Sequence, residues 1–204
     1  MKKIPTLFVR DPQDRRYVTP EVHPECRWVL DGEGVATRKY DGTCVMLDEE
    51  GKWWARREVK PGKTPPPGWV EADNDETTGK RPGWEPIEQS PFRGAWSEAM
   101  ALHPREPGTY ELCGPKINGN PEGYTLHRLI RHADAETFGT TGAPRTFDVL
   151  RALVIALGKT GWEGIVWHHP DGRMAKLKVR DFPTPDPARA VCQDETTTTA
   201  EEAK

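Results

Sequence analysis

Short stretches in which apolar and polar residues alternate recur along the chain, and they predict β-strands rather than helices. Such a stretch places its apolar residues on one face of a strand, where a core can bury them. Glycine, proline or acidic turn residues bound each stretch. Strands are predicted at RWVL (27–30), GVAT (34–37), TCVMLD (43–48), KWWARR (52–57) and GTYELCG (108–114).

One stretch has a clear helical period instead. TFDVLRALVIALG (146–158) repeats its apolar residues at three- and four-residue spacing, with Thr146 or Asp148 as the N-cap and Gly158 as the terminator. FRGAWSEAMAL (92–102) fits either a helix or a strand. The pattern therefore predicts a mixed fold in which strands outnumber helices.

A hairpin is predicted near the end of the patterned region. EGIVWHH (163–169) and RMAKLKVR (173–180) are strand-like, and a Pro-Asp-Gly turn at 170–172 separates them. His168 and His169 are adjacent on the first of these strands, so their side chains point to opposite faces. That arrangement argues against a metal site made by this histidine pair.

The unpatterned segments define the domain limits. Residues 1–24 are interpreted as an irregular lead-in, 25–182 as one domain, and 183–204 as an acidic disordered tail. Residues 60–90 form a long excursion rich in proline and glycine, which is more often functional than neutral in a compact domain. It is either a lid whose Trp69 and Trp84 stack on bases, or a solvated insertion.

Composition narrows the class of protein. The net charge of −3 over 204 residues does not indicate nucleic-acid binding, although a chain that is nearly neutral overall can still carry a local basic groove. The chain has no apolar run of membrane-spanning length and no signal peptide pattern. Its four cysteines are scattered without a C-x-x-C pair, which indicates reduced thiols. We therefore expect a cytoplasmic protein with no membrane contact, present as a monomer.

The segment RKYDGT (38–43) allows two interpretations. Asp41-Gly42 is a strong hairpin-turn dipeptide, so the segment can be a simple turn between two paired strands. Alternatively, Lys39 is a nucleophile held beside that turn. The six residues alone favour the simple turn, because short motifs often match by chance. Residues elsewhere in the chain are needed to choose between these two interpretations.

Further charged positions follow Lys39 in a fixed order, each on or beside a predicted strand. They are Arg56 in WWARR, Glu111 in TYELCG, Glu163-Gly164 in WEGIVW, and Lys176-Leu177-Lys178 in AKLKV. Together with Lys39-Tyr40-Asp41-Gly42, in this order and spacing, these pieces resemble motifs I, Ia, III, IV and V of the covalent nucleotidyltransferase superfamily. That superfamily contains the ATP-dependent DNA and RNA ligases and the mRNA capping enzymes.

The likeness spans about residues 27–180 and is closest to the small ATP-dependent RNA ligases, whose own signatures resemble PGWEPIE (82–88), KINGNPEGYTLHRLIRH (116–132) and EGIVWHHPDG (163–172). It implies an α+β nucleotidyltransferase domain, an ATP-grasp-like ligase adenylation fold, in which antiparallel sheets with flanking helices form an ATP cleft. It also implies that no OB-fold domain is present, because few residues follow the last lysines.

The resemblance divides these residues into a nucleophile, metal-orienting acids and nucleotide-binding groups. The implied set is Lys39 as nucleophile, Asp41 and Glu163 at Mg²⁺ or Mn²⁺, and Gly42, Arg56, Glu111, Lys176 and Lys178 at ATP, with Lys39, Asp41, Glu163 and Lys176 catalytic. An attacking amine must be uncharged, so we expect nearby cations to lower the pKa of Lys39. We also expect Glu163 to be partly exposed and to contribute little to stability.

The residue that stacks on adenine is not clear from the sequence. Phe147 and Ile130 are the two candidates, the latter within HRLIRH (127–132), which fits a strand. His127 and His132 are either substrate-binding or structural residues.

Taken together, the motifs predict an ATP-dependent RNA ligase that joins 5′-phosphate and 3′-hydroxyl RNA ends through a lysyl–AMP intermediate, in RNA repair. One alternative is another covalent nucleotidyltransferase, a DNA ligase or a capping-type enzyme. A second alternative is a non-catalytic nucleotide- or RNA-binding module with the same fold. The combination of a lysine nucleophile, acids and motif V lysines argues against the module, because binding alone does not require a neutral amine.

Overall fold

The computed structural model describes residues 3–74, 79–102, 106–139 and 144–183, so the predicted acidic tail lies outside the described residues beyond Pro183. The fold is mixed α+β, mostly antiparallel sheet with few helices. Its strands are β1 (Phe8–Arg10), β2 (Val18–Val22), β3 (Val35–Lys39), β4 (Thr43–Leu47), β5 (Trp53–Val59), β6 (Val70–Glu71), β7 (Arg81–Pro86), β8 (Gly108–Cys113), β9 (Arg128–Arg131), β10 (Gly164–His168) and β11 (Met174–Lys178). Its helices are α1 (Arg27–Leu30), α2 (Arg93–Ala99) and α3 (Phe147–Gly158).

The larger sheet has six strands in the order β6-β7-β5-β4-β8-β9, and every neighbouring pair is antiparallel. Alternating residues of its central strands are buried, as the sequence pattern predicts, and α2 packs against them. The buried side chains of this core include Val45, Trp53, Ala55, Ile87, Ala95, Tyr110, Leu112 and Leu129. The stretch 92–102, which fitted helix or strand, is thus helical over α2.

The smaller sheet has three antiparallel strands in the order β11-β10-β3, and the predicted hairpin is its β10–β11 pair. The predicted helix is α3, which packs on this sheet together with the β1–β2 hairpin. Thr146 caps α3, since its hydroxyl accepts a hydrogen bond from the Val149 N–H at 3.4 Å. Gly158 is the last helical residue, and glycine is favoured there because the Val179 side chain packs where a Cβ would lie.

Both edges of the smaller sheet are covered by backbone from elsewhere in the chain. The Leu7 N–H donates to the Lys176 carbonyl at 2.8 Å, and the Lys176 N–H donates to the Pro5 carbonyl at 3.0 Å. At the opposite edge the Arg38 N–H donates to the Glu136 carbonyl at 2.7 Å. The N-terminal segment therefore extends along β11, and residues 136–138 extend along β3.

The turn after Lys39 joins the two sheets. The simple-hairpin interpretation of Asp41-Gly42 is wrong, because β3 pairs with β10 whereas β4 pairs with β5 and β8. Gly42 is required here by space: a Cβ at this position would lie 2.4 Å from the Leu112 carbonyl oxygen. The turn therefore runs against β8 and places Lys39 between the sheets.

Two predictions for the first thirty residues are wrong. RWVL forms the short helix α1 instead of a strand, because Pro24 opens a helical turn that the His23 side chain caps by accepting from the Glu25 N–H at 3.3 Å. Residues 1–24 are not irregular throughout, since they contain the β1–β2 hairpin. The buried Phe8 anchors that hairpin to the core of the smaller sheet.

The excursion 60–90 is shorter than predicted. Its last part is β7, which pairs with β5 over six residues despite containing Pro82 and Pro86. Trp84 is a core residue of β7 with 4% of its surface exposed, and the ring of Trp69 covers Gly83. The proposed base-stacking role is therefore wrong for Trp84, whereas for the partly exposed Trp69 it stays a prediction.

None of the helices in the described parts of the chain has the length and apolar character needed to span a bilayer.

Candidate active site

A cavity of about 440 Å³ lies between the two sheets. Its volume is in the range of small-molecule sites, which are usually concave, mostly apolar and supplied with a few placed polar groups. Of the residues predicted for the site, those that line it are Lys39, Arg56, Glu111, Lys176 and Lys178. These five residues come from positions up to 139 apart in the chain and meet in one cavity, whereas Asp41, Gly42 and Glu163 are not among its lining residues.

Strand register explains how the lysines converge. Gly164 on β10 lies opposite Lys39 on β3 and opposite Lys178 on β11. Residues opposite one another in a sheet share a face, so the two lysines flank a position that has no side chain. A Cβ on Gly164 would lie 2.2 Å from the Leu177 carbonyl oxygen, which is why only glycine fits here.

Glu163 links the two lysines in a buried ion triplet. Its Oε2 accepts a hydrogen bond from Lys39 Nζ at 2.7 Å, and its Oε1 accepts from Lys178 Nζ. The Glu163 side chain is 9% exposed, so the partial exposure expected for this carboxylate is small. Arg180 adds a further cation, with a nitrogen 3.7 Å from Oε1.

The triplet also corrects the expected charge of the nucleophile. Burial lowers the pKa of Lys39, but Glu163 and Glu111 outweigh burial and raise it above its ordinary value. Burial raises the pKa of Glu163, and Lys39 and Lys178 lower it further than burial raises it. Lys39 is therefore an ion-paired ammonium in this structure, and not the neutral amine that the sequence argument requires.

Lys176 differs from Lys39 and Lys178 in its hydrogen bonding and in the size of its pKa shift. Burial, Lys178 and Lys39 together lower the pKa of Lys176 to about 8. Within the described ranges no group accepts a hydrogen bond from its ammonium, which faces the cavity. A desolvated cation without an acceptor favours an anionic ligand beside it, since such a ligand supplies the missing charge.

The opposite wall carries Glu111 and His132. Glu111 Oε1 accepts from the Gly42 N–H at 3.1 Å, and Oε2 lies 3.0 Å from His132 Nε2. His132 Nδ1 lies 2.9 Å from the Thr109 hydroxyl oxygen. His127, in contrast, is a buried structural residue that contacts Glu98 at 2.8 Å. His127 is thus structural, whereas a substrate-binding role for His132 stays a prediction.

Asp41 is held by a segment whose role the sequence did not reveal. Its backbone N–H donates to Glu122 Oε1 at 2.8 Å, and its Oδ1 accepts from the Asn118 amide at 3.0 Å. Glu122 is itself paired with Arg38 at 2.6 Å. The string KINGNPEG therefore braces the turn beside Lys39, and its polar residues are the signal that could have indicated this.

The implied ligands can be tested against these residues. The phosphates of ATP fit, because the Lys176 ammonium has no acceptor within the described ranges and lies in a cavity with three further lysines, Lys3, Lys39 and Lys178. Mg²⁺ fits by donor chemistry, since Asp41 and Glu163 supply the carboxylate oxygens that this cation prefers. Both oxygens of Glu163 are engaged by lysines, so a cation there would have to exchange with them.

Neither candidate for the adenine-stacking residue lines the cavity. Phe147 packs in the core of the smaller sheet, with its ring 4.9 Å from that of Phe8 and 5.7 Å from that of Phe182. Ile130 lines a separate pocket beside Tyr40 and Tyr124. The apolar wall of the cavity is instead supplied by Ile4, Ala133, Ala135, Val166 and Met174.

Comparison with known proteins gives a distant similarity. No protein-family model matches the chain. RNA ligase 1 of Rattus norvegicus is 26% identical to this chain, in a match that covers 70% of this chain and 65% of that protein. RNA ligase 1 of Mus musculus is also 26% identical, and the match again covers 70% of this chain and 65% of that protein. The chain thus spans about 65% of the length of these curated relatives, and the similarity supports an RNA ligase-like family.

Proposed function

We propose that this chain is an ATP-dependent RNA ligase that joins 5′-phosphate and 3′-hydroxyl RNA ends through a lysyl–AMP intermediate. The observation that carries the proposal is the position of Lys39, Lys176 and Lys178 on one wall of a ligand-sized cavity, with Glu163 paired to Lys39 and Lys178. The distant similarity to two proteins named RNA ligase 1 supports the same class of reaction.

Different walls of the cavity contact different parts of ATP. Lys176 and Lys178 hold the α-phosphate, because Lys176 is a desolvated cation in need of an acceptor. Arg56 and Glu111 on the opposite wall hold ribose or phosphate, with Glu111 accepting from a hydroxyl. The apolar wall faces the base. Gly42 keeps the turn tight against β8, and so fixes the position of Lys39.

In the first step, Lys39 Nζ attacks the α-phosphorus of ATP, a phosphoramidate bond forms, and the bond to pyrophosphate breaks. Lys39 must lose its proton first, and Glu163 now holds it as an ammonium. The proton of Lys39 passes to solvent, and Lys176 and Lys178 bind the α-phosphate. When bound, Mg²⁺ would supply positive charge near Asp41 and Glu163, which lowers the pKa of a neighbouring ammonium.

In two later steps, the AMP passes from Lys39 to an RNA 5′-phosphate, and an RNA 3′-hydroxyl then displaces AMP to seal the strand. The chain's scattered cysteines suit a reducing compartment, so we place this repair reaction in the cytoplasm.

The first experiment is covalent labelling. We expect α-labelled ATP with Mg²⁺ to label the denatured wild-type chain, and added pyrophosphate to remove the label. Lys39→Ala should abolish labelling, because no other amine replaces the nucleophile. Lys159→Ala, at an exposed lysine that follows α3, is the matched control and should label like the wild type.

The alternatives predict different results in the same assay. Labelling from GTP as strong as that from ATP would favour a capping-type enzyme. Absence of any labelling in the correctly folded chain would favour a non-catalytic binding module. If ATP labels Lys39, sealing of nicked DNA in preference to 5′-phosphorylated RNA would contradict RNA as the substrate.

A further inference from the structure

Three potential metal ligands of different chemistry meet on one wall of the cavity. They are Cys44 on β4, Glu111 on β8, and His132 directly after β9, and one ligand atom from each lies within 4.8 Å of the other two. Register explains the cluster, because Cys44 is the cross-strand partner of Glu111 and β9 is paired to β8. All three side chains line the cavity.

Two neighbouring groups orient the ligand atoms. The Gly42 N–H donates to Glu111 Oε1, which leaves Oε2 directed at His132. The Thr109 hydroxyl contacts His132 Nδ1 at 2.9 Å, which leaves Nε2 directed at Glu111. In metal sites, hydrogen bonds of this kind fix the ring orientation of a ligating histidine and the carboxylate beside it.

The donor set selects a class of cation. Thiolate, imidazole and carboxylate together suit Zn²⁺ and similar divalent transition metals, whereas Mg²⁺ prefers oxygen ligands only. Ligand atoms around tetrahedral zinc are about 3.3–3.7 Å apart by the usual bond lengths. Glu111 Oε2 and His132 Nε2 are already 3.0 Å apart, so small side-chain movements complete the geometry.

We propose that Cys44, Glu111 and His132 form a binding site for a divalent cation of the zinc class, with its fourth coordination position open to the cavity. The thiol proton of Cys44 leaves to solvent as the sulfur–metal bond forms. A cation held there occupies Glu111 and excludes a nucleotide from the same wall. The exclusion rests on the proposed function, while metal binding itself does not.

Titration with Co²⁺ as a spectroscopic probe tests the site directly, in the presence of a phosphine reductant that does not supply thiols. We expect the visible bands of four-coordinate cobalt and a thiolate-to-cobalt charge-transfer band. Cys44→Ser should remove the charge-transfer band, and His132→Gln should weaken binding at least tenfold. Thr109→Val should weaken binding about 10–100-fold, as losses of an orienting hydrogen bond do.

The matched control is Cys26→Ser, at a buried cysteine outside the cavity lining, which should keep the wild-type cobalt spectrum. Far-ultraviolet circular dichroism of each variant establishes that it is folded. A charge-transfer band that survives in folded Cys44→Ser, or the absence of any protein-dependent band in the wild type at millimolar Co²⁺, would overturn the site.

Competition between Zn²⁺ and ATP for this wall of the cavity is measured in a separate experiment. With Mg²⁺ in excess, Zn²⁺ should reduce ATP labelling of Lys39 at low ATP, and higher ATP should restore it. The ratio of labelling with and without Zn²⁺ should be near one in Cys44→Ser. Equal inhibition of wild type and Cys44→Ser would overturn the competition. A chain that binds Co²⁺ as expected but never labels with ATP would instead contradict the proposed function.

Discussion

Glu163 is a buried carboxylate whose two oxygens each accept a hydrogen bond from a lysine. Removing one partner from a buried ion pair leaves an uncompensated charge, which costs more than the pair itself contributes. Here two lysines, 19% and 12% exposed, would be left without their acceptor. The residue is thus part of the folded structure as well as of the proposed chemistry.

We therefore expect Glu163→Gln to lower the free energy of unfolding by about 2–4 kcal/mol at pH 7, as measured by urea denaturation. Glu136→Gln is the control, since this 56% exposed carboxylate meets Arg38 at 3.6 Å and should cost under about 0.5 kcal/mol. Because the folded chain lowers the pKa of Glu163, its contribution is present above about pH 4.5 and is lost as the pH falls through the lowered value. A cost below about 1 kcal/mol would contradict this account.

Lys176 gives a stability effect in the opposite pH range. Its pKa is about 8 in the folded chain against an ordinary value of 10.5, so between these values the unfolded chain binds a proton that the folded chain does not. The free energy of unfolding should therefore rise with pH in this window. Lys176→Met should show a smaller rise than the wild type, whereas Lys159→Met should follow the wild type. Superimposable profiles for wild type and Lys176→Met would show that Lys176 titrates normally.

At the residue scale, the sequence identifies groups whose chemistry is carried by a local motif. Lys39, Arg56, Glu111, Lys176 and Lys178 are found in this way, and they line one cavity. Glu122 is missed because its contact with Asp41 joins residues 81 apart in the chain. Ile130 and Phe147 are wrongly expected in the cavity, because apolar residues have the same local pattern whichever face of an element they occupy.

Among the elements, β10 depends on glycine at the point where three strands meet. A Cβ on Gly164 would lie 2.2 Å from the Leu177 carbonyl and 2.8 Å from the Lys178 Cα, and both of these are backbone atoms that cannot rotate away. The strand would have to separate from β11 to accommodate a methyl group. Since β10 pairs with both β3 and β11, the disturbance extends to both lysine-bearing strands.

Gly164→Ala is accordingly expected to reduce the free energy of unfolding by about 1–3 kcal/mol or more, as overpacking does. Gly94→Ala is the matched control, since Gly94 lies in α2 and a methyl group there would have no described neighbour within 4 Å outside its own helical backbone. That substitution should stabilise the protein by up to about 1 kcal/mol through helix propensity. Equal stability of the two variants in urea would rule out the backbone clash.

The elements that the sequence predicts correctly are the long or strongly patterned ones. The helix α3 repeats its apolar residues at helical spacing over twelve residues and has a threonine cap. In the sequence of β8, polar and apolar residues alternate from Thr109 to Leu112, and turn residues bound the strand. The strand β7 is missed because Pro82 and Pro86 normally argue against an internal strand. RWVL is mistaken for a strand because four residues are too few to distinguish a period of two from one of 3.6.

Across the whole molecule, each sheet supplies one wall of the cavity. The smaller sheet carries the three lysines, and the larger one carries Arg56 and Glu111. The sequence motifs predict both walls but not their arrangement, because nothing local specifies that β3 and β4 belong to different sheets. The turn 40–42 makes that separation, and it is braced by Asn118 and Glu122 from a distant segment.

The N-terminal segment that extends along β11 has a consequence for handling the protein. Without it, β11 would present a row of unpaired backbone donors and acceptors, which invites another chain to add a strand. A protein shortened by residues 1–6 should therefore self-associate, with light scattering that rises with concentration, whereas Ile4→Ala keeps the backbone and should stay monodisperse. Persistent monodispersity of the shortened chain would mean that this edge needs no cover. An affinity tag that is removed by cleavage close to Pro5 carries the same risk of aggregation, since the backbone of Pro5 and Leu7 shields the edge of β11 from other copies of the chain.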